Sequence, residues 1–190
     1  IYKIKVKNIE NIIWDFDGVI LNSMAVRDWG FEEIFKHYPK NKVGKLLEFH
    51  SKNGGLSRYV KIRYFFEQLL QQEITDDVVQ QFANNFSVLM KKELVNKRNL
   101  IQDTVDFIKK NYTKYNFHIA SGSDQNELRF LCAELGIAQY FKSTHGSPTP
   151  KNDLVKDILS SNQYSIEKTC LIGDSINDYE AAKMNNIFFM

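Results

Sequence analysis

No stretch of this sequence approaches the roughly 18 consecutive apolar residues that a membrane-spanning helix needs, so the expectation is a soluble chain that makes no use of a membrane. The opening run IYKIKVKNIENIIW lacks the long apolar centre and small-residue cleavage site of a secretory signal. It alternates apolar with polar residues instead and reads as structure. Cysteine is scarce: Cys132 and Cys170 lie far apart in apolar surroundings, which excludes a closely spaced metal knuckle or redox pair. Both read as buried thiols in a reducing compartment, the cytoplasm. Neither charge dominates, with 25 basic and 23 acidic residues giving a formal +2, so nothing calls for nucleic acid as a partner. Internal repeats and low-complexity segments are lacking too. What is present is 43% hydrophobic residues in a length of 190, enough for one substantial core with a smaller insertion but not for two large domains.

Ile9 to Phe16 crowds apolar bulk into a short run that stops at Gly18, the pattern of a buried strand. Phe117 to Ala120, Thr169 to Ile172 and Ile187 to Met190 repeat that character, with a weaker strand at Ser143 to His145. Between them run helical stripes. Leu128, Leu131, Cys132 and Leu135 share one helix face that Gly136 ends, and Leu154, Val155, Ile158 and Leu159 share another. Helices alternating with buried strands predict a doubly wound, Rossmann-like α/β fold, because parallel strands need crossover helices that cover both sheet faces. About 100 residues separate the first two strands, far more than the dozen or so a crossover requires. That interval carries two amphipathic helices, one marked by Ile62, Phe65, Phe66 and Leu69, the other by Val78, Phe82, Phe86, Leu89 and Met90 with Thr75 as its N-cap. The predicted organisation is an α/β core over residues 1–22 and 99–190 and a helical cap over 23–98.

Asp15 and Asp17 stand at the end of the first strand, the edge where an open α/β sheet presents its loops to ligands. Two residues apart in extended chain, they face one way while Phe16 turns into the core and Gly18 eases the turn. Alone, the pattern also fits an acidic loop capping a helix. The second strand ends in Ser121, Gly122 and Ser123 at the same edge, where small residues leave backbone N–H groups free for phosphate oxygens. The fourth ends in Gly173, Asp174 and Ser175, with Asp178 one helical turn later. Clustered acids there suggest a hard cation. Magnesium shares a phosphate and needs few protein ligands, for which Asp15, Asp174 and the Asp17 carbonyl suffice. Lys151, at the start of a predicted helix, offsets the charge of a carboxylate and an incoming phosphate, unless it is simply a solvent-exposed lysine.

In this order, DFDGV at Asp15, ASGS at Ser121, Lys151 and GDSIND at Asp174, the sequence resembles the haloacid dehalogenase superfamily, and the long insertion after the first motif is similar to that family's helical cap. The resemblance implies a magnesium-dependent phosphatase for a small phosphate ester. Asp15 is then the nucleophile that forms an aspartyl phosphate, and Asp17 the acid and base, its proton affinity raised by burial or neighbouring negative charge. Ser121 and the Gly122 backbone hold phosphoryl oxygens, and Lys151 balances charge with magnesium held by Asp15, Asp17, Asp174 and Asp178. Asp178 acts through water or orients Lys151 instead. An acid at Asp17 argues for phosphoryl transfer over carbon–halogen cleavage. Relatives often have proline directly after the lysine, whereas here Pro148 and Pro150 precede it and leave Lys142 and Lys156 as substitutes. They also continue past the strand represented by IFFM, so further chain is expected to cover that sheet edge.

Substrate choice falls to the cap. In SKNGGLSRYVKIRYFF, Asn53, Gly54 and Gly55 form a turn and Ser57 caps a helix that begins with Arg58, Lys61 and Arg63. Arg58 is the candidate to clasp a carboxylate or second phosphate on the substrate, although exposed basic residues on a helix are common. Tyr59, Tyr64, Phe65 and Phe66 line a sugar pocket or, at helical spacing, pack the cap core. The stretch is similar to caps of phosphoglycolate-phosphatase-like and sugar-phosphatase-like members and does not choose between them. A phosphomutase of the β-phosphoglucomutase kind is the nearest rival, and a non-catalytic scaffold a more distant one.

Overall fold

The computed structural model describes residues 8–190, so the first seven residues of the alternating N-terminal run lie outside the described residues. Five strands, β1 (Asn11–Trp14), β2 (Asn116–Asp124), β3 (Ser143–Ser147), β4 (Thr169–Ile172) and β5 (Phe188–Phe189), form one parallel sheet in the order β3-β2-β1-β4-β5. The first strand is central because its run is apolar on both faces. Ile12 and Trp14 pack with Phe117, Ile119 and the apolar stripes of two helices, while Ile13 points the other way with Ala120 and Leu171. Truncating Ile13, which is fully buried, would cost about 2–5 kcal/mol.

Four helices, α1 (Met24–Ile34), α2 (Lys40–Lys52), α3 (Arg58–Arg63) and α4 (Asp76–Leu94), follow β1 and make up the insertion. The crossover helices of the sheet are α5 (Gln102–Asn111), α6 (Gln125–Glu134), α7 (Lys151–Ser161) and α8 (Ile176–Met184). Val105 and Ile108 of α5 and Leu128 and Leu131 of α6 cover one face; Leu154, Val155 and Ile158 of α7 and Ala181 and Ala182 of α8 cover the other. The architecture is the doubly wound α/β core with a helical cap that the sequence predicts. No helix among the described residues is long and apolar enough to cross a membrane. Cys132 and Cys170 are buried free thiols, both pushed up to about 12 by burial.

The cap helices differ in detail from the expected stripes. Thr75 caps α4 by accepting from the Val78 N–H, and Ser57 caps α3 by accepting from Val60, both as predicted. The buried face of α4, however, is Val79, Ala83, Phe86, Met90 and Leu94; Val78 is exposed. A small Ala83 at the contact lets the helix turn its next face inward. After Arg63 the helix widens into π turns over Tyr64–Leu70. The wider turn lets the adjacent Phe65 and Phe66 both bury, against Phe35, Tyr38 and Phe82. Tyr64 stacks on Phe49 at 3.9 Å between ring centroids, so Tyr64, Phe65 and Phe66 pack within the cap, whereas Tyr59 donates to Asp124 Oδ2 at 2.8 Å.

Candidate active site

The carboxyl end of β1 delivers Asp15, whose N–H donates to Ile172 O of β4 at 2.8 Å, so the backbone of the nucleophile candidate is tied into the sheet. Its side chain is buried, and Lys151 Nζ donates to Oδ1 at 2.7 Å. Lys151 is the first residue of α7, is itself buried, and also donates to Asp178 Oδ1. The solvent-exposed alternative for this lysine therefore falls, and Lys142 and Lys156 are not needed in its place. Burial acts to lower the ammonium, but Asp15 and Asp178 carry it up to about 12. Burial pushes Asp15 up to about 7, the Asp178 and Asp17 charges adding to burial and Lys151 opposing it.

Asp178 is wholly buried and fully engaged. Its second oxygen accepts from the N–H of Ser175 at 3.0 Å and the Ser175 hydroxyl at 2.6 Å, completing a capping box at the head of α8. Asp174, one residue before that cap, is exposed, and its carboxyl is raised by burial of one side and by Asp178. Oxygens of Asp15, Asp174 and Asp178 lie within 4.8 Å of one another. Three carboxylates against one lysine form an all-oxygen donor set with surplus negative charge, which suits a hard divalent cation. Gly18, at φ +80°, makes the turn beneath it, and a Cβ there would collide with the Asp174 carboxylate.

The second strand carries Ser121, Gly122 and Ser123 at its end, as the sequence reading expects, and runs on through Asp124. Ala120 pairs with His145 and Asp124 with Ser147, four steps on β2 against two on β3, and the bulge re-aims these residues toward Asp15 and Asp17. The Ser121 hydroxyl accepts from the Ser123 N–H at 3.1 Å. Gly122 sits under the cap: a Cβ there would strike the Gly55 carbonyl, so only glycine permits this closeness. A cavity of about 200 Å³ brings Asp15, Asp17, Ser121, Gly122 and Asp174 together, with Ser51, Lys52, Gly54 and Gly55 as its cap-side wall.

The Asp17 carboxylate points away from the three-carboxylate cluster, toward the cap. Oδ1 accepts from Ser23 Oγ at 2.5 Å and Arg27 Nε at 2.7 Å; Oδ2 accepts from Ser123 Oγ at 2.6 Å. Burial acts to raise its proton affinity, as expected, but the Arg27 charge and these three hydrogen bonds outweigh it and hold the carboxyl below the usual range. The expected upward shift is thus reversed in this arrangement.

Arg58 is not an exposed residue of a helix surface. It is buried, with Nη1 donating to Glu127 Oε2 at 2.6 Å and to Ser87 Oγ at 2.7 Å and its guanidinium 4.6 Å from the centre of the Phe86 ring. Glu127, wholly buried on the first turn of α6, also accepts from Arg27 Nη1 at 3.2 Å. A continuous buried chain, Asp17–Arg27–Glu127–Arg58, therefore alternates between core and cap and ends in the cap. Lys61 is buried as well, donating to Gly54 O at 3.2 Å, whereas Arg63 stays on the surface with Glu67 and Asp76. Arg27, Glu127, Ser23 and His50 were not singled out from the sequence; the available signal was Arg27 four and seven residues before Phe31 and Ile34, a charge on an apolar helix stripe.

The sequence matches the family model for haloacid dehalogenase-like hydrolases over residues 12–190. No curated protein matches it. Among solved structures it is similar to a haloacid dehalogenase-like family hydrolase from Streptococcus pneumoniae (17% identity, TM-score 0.69, 95% of this chain and 83% of that one). It is also similar to a candidate phosphoglycolate phosphatase from Lactobacillus plantarum (15%, 0.72, 96% and 86%). A third is YfnB from Bacillus subtilis, in a structure with magnesium bound (16%, 0.69, 96% and 88%). At these identities the likeness carries the fold.

Proposed function

Since the chain belongs to the haloacid dehalogenase-like hydrolase family, we propose that it is a magnesium-dependent phosphatase that cleaves a small phosphate monoester through an aspartyl phosphate on Asp15. The observation that carries this reading is that Asp15, paired with the buried Lys151 at 2.7 Å, lines one cavity with Asp17, Ser121 and Asp174. In it, residues 1–22 and 99–190 form the catalytic core and 23–98 the cap.

An Asp15 carboxylate oxygen attacks phosphorus, and the alcohol oxygen leaves with the proton of the Asp17 carboxyl. Asp17, now a base, draws a proton from the water that attacks the aspartyl phosphate. Inorganic phosphate departs and Asp15 is restored. Ser121 Oγ and the backbone N–H groups of the β2 bulge bind the phosphoryl oxygens, and Lys151, oriented by Asp178, holds Asp15 and offsets their charge. Magnesium, held by Asp15, Asp174 and the Asp17 carbonyl, would add positive charge opposite the transferring group. For Asp17 to carry a proton, its Arg27 contact must loosen, and the charge of a bound phosphate acts in that direction.

The test is phosphate release from a panel of small esters by the protein and by its Asp15→Asn variant, with and without magnesium. Release that needs the metal and disappears in the variant is expected. Undiminished release from Asp15→Asn would overturn the covalent mechanism.

A further inference from the structure

On the cap side of Asp17 lies a second, smaller cavity, walled by Arg27, His50, Arg58 and Lys61 together with Phe31 and Phe86. All four polar residues are deeply buried: Arg27 is 5% exposed, His50 2%, Arg58 4% and Lys61 2%. Groups this deep ordinarily have their hydrogen bonds satisfied. Here Arg27 Nη2 and Arg58 Nε and Nη2 have no hydrogen-bond partner, and neither ring nitrogen of His50 makes a hydrogen bond, the Asp28 carboxylate standing 3.6 Å from Nε2. Lys61 spends one of its three donors on Gly54 O. The concentration of unused donors in one apolar-backed cavity is a site prepared for an acceptor.

We propose that this cavity receives a carboxylate on the alcohol part of the substrate, so that the ester cleaved at Asp15 is the phosphate of a short hydroxy acid. The inference rests on the phosphatase reading for what happens at Asp15, and on three observations of its own. Charge is the first: Arg27 pairs with Asp17 and Glu127 and Arg58 with Glu127, and Lys61 adds a third cation to these two carboxylates, the half-exposed Asp28 beside His50 lying outside the cavity lining. The surplus of one matches a monoanion, where a second phosphate would overshoot. Burial first, and then Arg27, press Lys61 down to about 7, the mark of positive charge in excess.

Size is the second. The cavity holds about 20 Å³, room for roughly one water-sized group, so a carboxylate oxygen enters with little movement of the cap and a sugar ring does not. Continuity is the third. Asp17, Met24, Gly54 and Gly122 line both this cavity and the catalytic one, so a ligand that spans the two passes directly over Asp17. A phosphoryl group beside Asp15 and a carboxylate beside Lys61 then put the bridging oxygen next to the proposed acid, which requires a short linker. Glu127 already meets Arg27 and Arg58 from the far side, and so these arginines are held in place before the ligand arrives.

Calorimetric binding to the Asp15→Asn protein in the presence of magnesium separates this inference from turnover. The ligands are 2-phosphoglycolate and ethyl phosphate, similar in length and differing in the carboxylate. Phosphoglycolate is expected to bind at least about tenfold more tightly, as charged hydrogen bonds to a buried group warrant. Lys61→Met in the same background is expected to bring the two within about threefold. Equal binding of the two esters, or binding of neither, overturns the subsite, and this comparison stands whatever Lys61→Met does to folding. Phosphate release by the unsubstituted protein is read separately: preference for phosphoglycolate in binding with no release from any ester supports the subsite while sinking the phosphatase reading.

Discussion

Arg27 Nε lies 2.7 Å from Asp17 Oδ1, so a residue of the first inserted helix grips the carboxylate that the mechanism needs as its acid and base. The same guanidinium reaches Glu127 on α6 with Nη1 at 3.2 Å. One side chain thus ties the reacting edge of the sheet to the cap. Because Arg58 on α3 meets the other oxygen of Glu127, any movement of the cap must either carry both arginines away from a buried carboxylate or take place with them as pivots.

Glu127→Gln should therefore be costly in stability. It leaves two guanidinium groups buried beside a neutral amide, and breaking a buried pair from one side costs about 3–5 kcal/mol. Urea unfolding would read the loss. The double change Glu127→Met with Arg58→Met removes charge from both sides and should be less destabilising than the sum of the singles; additive costs would mean the two residues are not coupled in the native protein.

Asp17→Asn should hurt esters unequally. Removing a general acid costs about 10²–10⁴ in rate, yet an aryl leaving group such as p-nitrophenolate departs with little need of a proton. The loss in kcat/KM for an alkyl phosphate is expected to exceed that for p-nitrophenyl phosphate by at least about tenfold. Equal losses would assign Asp17 to positioning and not to proton transfer.

Much of this was legible from the chain. The buried runs around Ile12, Phe117 and Leu171 predict the sheet, and Asp15, Ser121, Lys151 and Asp174 fall at one edge because each lies at or just past the end of a strand or opens the helix after it. Glu127 was hidden by a blander pattern. Asp124-x-x-Glu127 reads as a capping box, and half of one does form, Asp124 accepting from the Glu127 N–H at 2.9 Å; the glutamate side chain goes instead to the arginines. Arg58 and Lys61 look like solvated helix residues because local sequence carries no record of the core that will close over them. The reversal at Asp17 has the same origin, since burial is foreseeable from the strand and a partner ten residues away on a helix is not.

Magnesium should stabilise the folded protein, with Asp174 the residue that tests it. A ligand that binds only the native state adds about 2.7 kcal/mol at a hundredfold excess over its Kd. Asp174 is exposed, and so Asp174→Asn should fold with little intrinsic loss while forfeiting most of the magnesium-dependent rise in Tm. A variant that keeps the full rise would remove Asp174 from the metal site. Asp178→Asn is a poorer probe, because it also strips Lys151 and Ser175 of their partner.

Far from the reaction, His118 should make the fold sensitive to acid. The ring is wholly buried on β2, with Nδ1 2.7 Å from Ser143 Oγ and Nε2 3.0 Å from Tyr164 Oη. Burial foremost, then the charges of His145 and Lys142, lower it from 6.5 to about 4. Between those values the unfolded chain binds a proton that the native chain refuses, so stability is intact above pH 6.5 and falls as the pH drops toward 4, by at most about 1.4 kcal/mol per pH unit. His118→Gln should start out less stable at pH 7.5, having lost its fitted ring, and then close the gap as the medium is acidified, because it has no proton to take up at that position. Urea midpoints for both proteins at pH 7.5, 6 and 5 would read this directly; two parallel curves would mean that the native ring titrates as freely as the unfolded one and that the Ser143 and Tyr164 contacts do not hold it neutral.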